Sequence, residues 1–168
     1  MLIDCSYFTK GSRLILNATT AQSVPDVNSR AVNEAIMGFI EEYQEGYLRD
    51  MVGTALGNKL HTYLISLEDG GAHIADFDEI CDRLRESFAY YVFYHILRDT
   101  ASEADITGLV RIKTANIPVS PIRRQVSAWN MMADKNRNFR DWVLSKECPV
   151  KGISISEEMT TYINSLNL

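Results

Sequence analysis

Apolar side chains recur at steps of three and four along most of this chain, the spacing that lines one face of a helix. The strongest run is Phe77 to Asp105, where Ile80, Leu84, Phe88, Tyr91, Val92, His95 and Ile96 share a face. Between Phe88 and Leu97 nearly every residue is apolar, as in a helix surrounded by other helices. That stretch is too short to span a bilayer, which needs about 20 residues. The run is therefore predicted to be the long central helix of a helical bundle. Asp76 stands three residues before Glu79, a capping-box spacing that predicts the helix start. Asp99, Thr100, Ser102 and Asp105 accumulate around 101–105 and predict its end.

The same period predicts three more helices. The first runs from about 27 to 45 behind the start cluster Pro25, Asp26, Asn28 and Ser29. Val32, Ile36, Phe39, Ile40 and Tyr43 form its apolar stripe, with Asn33, Glu34, Glu41, Glu42 and Glu45 toward water. Gly46 permits a break, and Tyr47 to Gly53 is predicted as a separate short turn closed by glycine. The second covers 54–67, burying Leu56, Leu60, Tyr63, Leu64 and Leu67, and stops at Asp69-Gly70-Gly71. The last begins at Ser120-Pro121, an N-cap followed by proline at the first helical position, and runs to about Lys146. Its inner positions are Ile122, Val126, Trp129, Ala133, Phe139, Trp142 and Val143, while the polar stretch Asp134 to Arg140 is expected to bend or lie exposed.

Other segments lack this period. Arg13 to Leu16 has the composition of a short strand, and residues 1–24 as a whole need a neighbour to order them. Alternation over 109–114 predicts a strand or hairpin arm within 106–119. Gly152 to Ser156 alternates too and is a partner for it, and 157–166 is predicted as a short closing helix. The expected fold is mainly α: a small helical bundle around a long central helix, with extended N-terminal, 106–119 and C-terminal arms. The expected divisions are an N-terminal arm at 1–24, the bundle domain at 25–147 and a C-terminal arm at 148–168.

A length of 168 residues fits one domain with a real core. Cys5, Cys81 and Cys148 are odd in number, far apart and outside any CxxC, which argues against a disulfide framework or zinc knuckle and suits a reducing compartment. The first residues lack the basic and apolar regions of a secretory signal. Charge changes the picture more than composition does. From Asp26 to Asp105 there are 16 acidic and 6 basic residues, net -10. From Leu109 to Arg140 there are 7 basic residues against Asp134 alone, net +6. Such a split marks either a charged partner surface or two halves that face each other, within one chain or between copies. The pI of about 5.2 lies well below the 9 typical of a dedicated nucleic-acid module.

Candidate chemistry is sparse. His61, His73 and His95 lack the i, i+4 spacing of a helical metal site, and there is no HExxH, GxSxG, P-loop or GxGxxG after a strand. Gly53 to Lys59 has the wrong count before its lysine for a phosphate loop. A cation held by His73, Asp76 and Asp78 would lack the ordered ligands of a calcium loop. His95 sits among aromatic residues as a core or interface histidine, and the run Phe88 to Tyr94 is core rather than a ligand box. No catalytic, cofactor-binding or metal-binding residue is assigned, and the chain is not expected to be an enzyme. An enzyme site around His61, His73 and Asp76 is the weakest of the readings. Arg111, Lys113, Arg123 and Arg124 are the candidate interface or DNA-contact residues: Arg111 and Lys113 are basic positions of the 106–119 arm, and Arg123-Arg124 lead up to Trp129.

Two blocks add a resemblance. Phe39 to Leu56 carries Tyr43, Tyr47, Leu48, Gly53 and Leu56 in the order "I-x-x-Y-E-x-x-Y-L-x-x-L-L-G-x-x-L-Y", with Gln44 and Val52 among the departures from it. The aromatic helix, Thr107-Gly108-Leu109-Val110 and a helix carrying Asn130 follow. This layout, over roughly residues 30–145, resembles the head-to-tail connector (adaptor) proteins of tailed phages and prophages of Bacteroidetes-type hosts. The resemblance implies a structural virion protein of the neck. It would form a ring of copies, commonly a dodecamer, joining the portal to the stopper or tail and leaving a channel for DNA. It implies host cytoplasm before assembly, no membrane, no cofactor and contact through the arms. The alternative is a small helical nucleic-acid-binding or regulatory protein using the basic 109–140 band.

Overall fold

The computed structural model describes residues 1–20, 27–102 and 121–166. Four helices carry the fold: α1 (Val27–Val52), α2 (Thr54–Glu68), α3 (Ala75–Ser102) and α4 (Pro121–Leu144). Among the described residues there is no strand beyond a single bridge residue at Ile15. The mainly α bundle around a long central helix is the architecture found. α3 packs along α4 and against α1, and α1 packs against α2. From Ser87 to Leu97 α3 is buried on nearly all sides, with only Tyr91 and Tyr94 partly open.

α1 does not break at Gly46. Its 26 residues span about 39 Å at the helical rise. Tyr47, Leu48, Met51 and Val52 continue the buried face of Val32, Ile36 and Ile40. Burying each such side chain is worth about 1.5–3 kcal/mol, against about 1 kcal/mol lost at one glycine. The break falls at Gly53, whose φ of 86° is a conformation that residues with a Cβ rarely adopt. Four residues on, a Cβ at Gly57 would lie 2.8 Å from the Arg49 Cα and backbone nitrogen. The two glycines thus make the tight α1–α2 corner: one turns the chain and the other lets the helices touch.

α3 begins at Ala75, so Asp76 lies inside the first turn and does not cap it. The Ile74 carbonyl accepts from the amides of Phe77 (3.0 Å) and Asp78 (2.9 Å). Asp76 and Asp78 there complement the positive end of the helix dipole. Tyr63 of α2 locks the preceding loop: its hydroxyl accepts from the Ile74 amide (3.2 Å) and donates to Asp78 Oδ1 (2.6 Å).

Residues 1–20 find their ordering neighbour in the bundle itself. Leu2, Ile3, Phe8 and Ile15 are buried in the common core. The backbone forms 3-10 turns at Cys5–Phe8 and Gly11–Arg13, not a strand at 13–16. Asn33, expected to face water, instead pins the end of this segment, accepting from the Thr19 amide (3.1 Å) and donating to its carbonyl (2.9 Å). Arg13 lies 4.3 Å from the Tyr90 ring centroid and pairs with Glu86 at 2.9 Å.

The helix-start cluster at Pro25 and Asp26, the Ser120 cap and the 106–119 arm lie outside the described residues. Gly152 to Ser156 forms no strand.

Candidate interaction site: the α4 face and the strap it holds

The polar middle of α4 is unbroken helix and does not face water throughout. It is the rail on which the C-terminal segment lies. Asn136 is fully buried, and its Nδ2 donates to the Met159 carbonyl at 2.8 Å. Arg137 Nε donates to the Thr160 carbonyl (2.8 Å) and Trp129 Nε1 to that of Thr161 (2.9 Å). Asn130 grips Ile163 twice, donating to its carbonyl (3.0 Å) and accepting from its amide (2.9 Å). The Arg137 guanidinium sits 3.8 Å from the Tyr162 ring centroid, and the Tyr162 hydroxyl donates to Asp134.

This row explains why 157–166 is not the helix its sequence predicts. The side chains of α4 take the carbonyls of 159–161 and 163, which leaves only a 3-10 turn at Glu158–Thr160. An extended strap whose backbone is read by side chains replaces helical self-pairing.

One thread of hydrogen bonds joins the strap to α4, α1 and α3. Tyr47 of α1 donates to Asn136 Oδ1 at 3.1 Å and is also bonded to Ser87 of α3. With one proton per hydroxyl, the consistent order is Ser87 to Tyr47 to Asn136 to Met159. Ser87 Oγ also lies 3.0 Å from the Leu84 carbonyl, a second acceptor in reach. Burial pushes the Tyr47 hydroxyl far above its ordinary pKa, so it stays a donor at any physiological pH.

Of the four predicted contact residues, Arg111 and Lys113 lie outside the described residues. Arg123 is exposed at the start of α4. Arg124 is half-buried, 5.5 Å from the Phe93 ring centroid, and burial lowers its pKa. Further along the basic band, Arg137 is committed to the strap and Arg140 lies 3.7 Å from Asp141. Ile122, expected inside, is 47% exposed.

The histidines have separate surroundings. His61 Nδ1 lies 3.4 Å from Gln44 Nε2, and Gln44 Oε1 accepts the Leu2 amide at 2.6 Å. His73 sits 3.0 Å from Asp78 Oδ2, and Asp76 bonds to neither histidine. The Tyr63 hydroxyl, followed by His73, holds the Asp78 carboxyl below its ordinary pKa. Among the described residues no group of three His, Cys, Asp or Glu side chains is placed to hold a metal. No helix among them is long and apolar enough to cross a membrane.

His95 is packed in aromatic rings, stacked on Tyr43 with centroids 3.9 Å apart and edge-on to Tyr91 (4.5 Å) and Tyr94 (5.2 Å). Burial, helped by Arg98, pushes its pKa down to about 4 despite the opposing effect of Asp99. All three cysteines are buried free thiols.

The sequence carried little signal for the strap. Asn130, Asn136 and Arg137 look like solvated helix positions, and only the cluster of amide side chains opposite an apolar stripe hints at backbone partners. Comparison with family models, with curated proteins and with solved structures finds no match for this chain.

Proposed function

We propose that this chain is a structural subunit of a phage neck: a ring-forming head-to-tail adaptor that joins the portal to the stopper or tail and leaves a passage for DNA. One observation carries the reading. The residues of the adaptor-like pattern are those that set the architecture. Tyr47 and Leu48 are fully buried, and Tyr47 is the centre of the thread from α3 to the strap. Tyr43 stacks on His95, and Gly53 turns the chain at the α1–α2 corner. The opposed net charges of residues 26–105 and 109–140 suit head-to-tail contacts between copies, which close into a ring when the rotation allows. The portal, the stopper or tail and passing DNA are the partners in this reading, with the virion neck as the final location and host cytoplasm before assembly.

The experiment is reconstitution with the portal protein of the same genome, followed by electron microscopy and native mass spectrometry. The expected result is a ring of this chain seated on the portal. A tight closed dimer indifferent to portal would defeat the reading.

The nucleic-acid-binding alternative keeps one supporting observation, the exposed Arg123 within the 109–140 band of net charge +6. It predicts salt-dependent DNA binding lost in R123E/R124E. The engagement of Arg124 with Phe93 and of Arg137 with the strap weighs against it.

A further inference from the structure

Where the strap crosses α3 and α4 it closes one side of a pocket of about 210 Å3. Tyr91, Tyr94 and Trp129 supply aromatic walls, and His95, Arg98 and Glu158 supply polar groups. His95 is 6% exposed, and neither ring nitrogen has a hydrogen-bond partner among the described residues. A neutral imidazole buried without partners is costly unless water or a ligand reaches it. The space equals about seven waters at their liquid volume, or the end of one long side chain.

The charges around the pocket are not balanced. Arg98 is already occupied, with Nε 2.8 Å from Asp99 Oδ1 and Nη2 3.1 Å from the Tyr43 hydroxyl. Glu158, exposed at the pocket, forms no ion pair among the described residues. Aromatic ring faces are themselves regions of negative potential. With the Arg98 charge offset by Asp99, the unpaired Glu158 carboxylate and the aromatic walls favour a cation. Flat ring walls favour a planar guanidinium over a compact, strongly hydrated ammonium.

We propose that this pocket binds a guanidinium group, the head of an arginine side chain presented by a second copy of the chain. The pocket's chemistry stands on the geometry alone. The second copy as source rests on the ring reading above and on charge complementarity between residues 26–105, which carry most of the pocket, and the basic 109–140 band. The strap, by carrying Glu158, makes the pocket depend on the grip of α4 upon residues 159–163.

The test is a titration of the full chain with methylguanidinium, read by NMR at the Trp129 Nε1–H and His95 ring signals, with methylammonium and acetate as comparators. Saturable shifts with methylguanidinium are expected, weaker ones with methylammonium and none with acetate. E158Q, a change at an exposed position, should weaken guanidinium binding about fivefold. Shifts with acetate instead, no saturable shift, or E158Q binding as tightly as wild type would overturn the pocket. For the source, E158R should block assembly of copies on the portal. If E158R assembles normally, the second copy is overturned as occupant while the guanidinium site stands. Wild type failing to assemble at all would count against the ring reading alone, because the titration uses no portal.

Discussion

Replacing Asn136 by alanine tests the thread that ties the strap to the core. The side chain makes two buried bonds, accepting from Tyr47 and donating to the Met159 carbonyl. Each lost bond removes about 1 kcal/mol, and a buried carbonyl left without a partner adds about 1–3 kcal/mol. Tyr47 need not be orphaned. Ser87 can turn its proton to the Leu84 carbonyl, 3.0 Å away, and accept the Tyr47 hydroxyl in its place. The orphan is then Met159 alone, and the expected loss is about 3 kcal/mol. Denaturant unfolding measures it. Hydrogen exchange at the Thr160, Thr161 and Ile163 amides should rise well above the change seen in α2, since these amides are ordered only by the docked strap. Y47F should cost less, about 1 kcal/mol, and the double variant should cost less than the sum of the two. A loss below about 1 kcal/mol in N136A, with the strap amides still protected, would refute the thread as a support of the strap.

Three further outcomes follow from the packing. G57A places a Cβ 2.8 Å from the Arg49 backbone and should destabilise by about 2–3 kcal/mol, whereas G46A, in open space on α1, should stabilise slightly; thermal melts of the pair give opposite signs if the α1–α2 contact is as close as described. The folded His95 binds its proton near pH 4 and the unfolded chain near 6.5, so its contribution is whole above about 6.5 and is lost as pH falls toward 4. The loss is on the order of 3 kcal/mol, and unfolding curves between pH 7 and 4 should show that slope in wild type and lack it in H95F. The groups that face His95 are Tyr43, Tyr91, Tyr94, Arg98, Asp99 and Glu158. Burial pushes the thiols of Cys5 and Cys81 up to about 11 and about 12, so neither should be alkylated by iodoacetamide at pH 8 until the chain unfolds; modification at the rate of a free thiol would contradict the burial.

The helices were legible because each carries its own evidence. A buried face repeats every three or four residues whatever it packs against, so Ile36, Ile40, Leu60, Leu64, Leu84 and Phe88 announce themselves in the sequence. Gly46 and Gly57 show where that evidence ends. Both are glycines in helices, and only the neighbour across the gap distinguishes open space at one from the Arg49 backbone at the other.

Sequence by itself determined the class of fold, the central helix and the stop at Asp69-Gly70-Gly71, because these follow from local periodicity and backbone chemistry. Tertiary structure decided where the remaining chain lies. Residues 1–20 and 145–166 take their shape from partners distant in sequence, Asn33 and Gln44 at one end, Asn130, Asn136 and Arg137 at the other. A side chain that hydrogen-bonds a distant backbone leaves no local pattern, since any residue can present the carbonyl it reads. The pocket at His95 arises in the same way, from α3, α4 and a strap brought together only by folding.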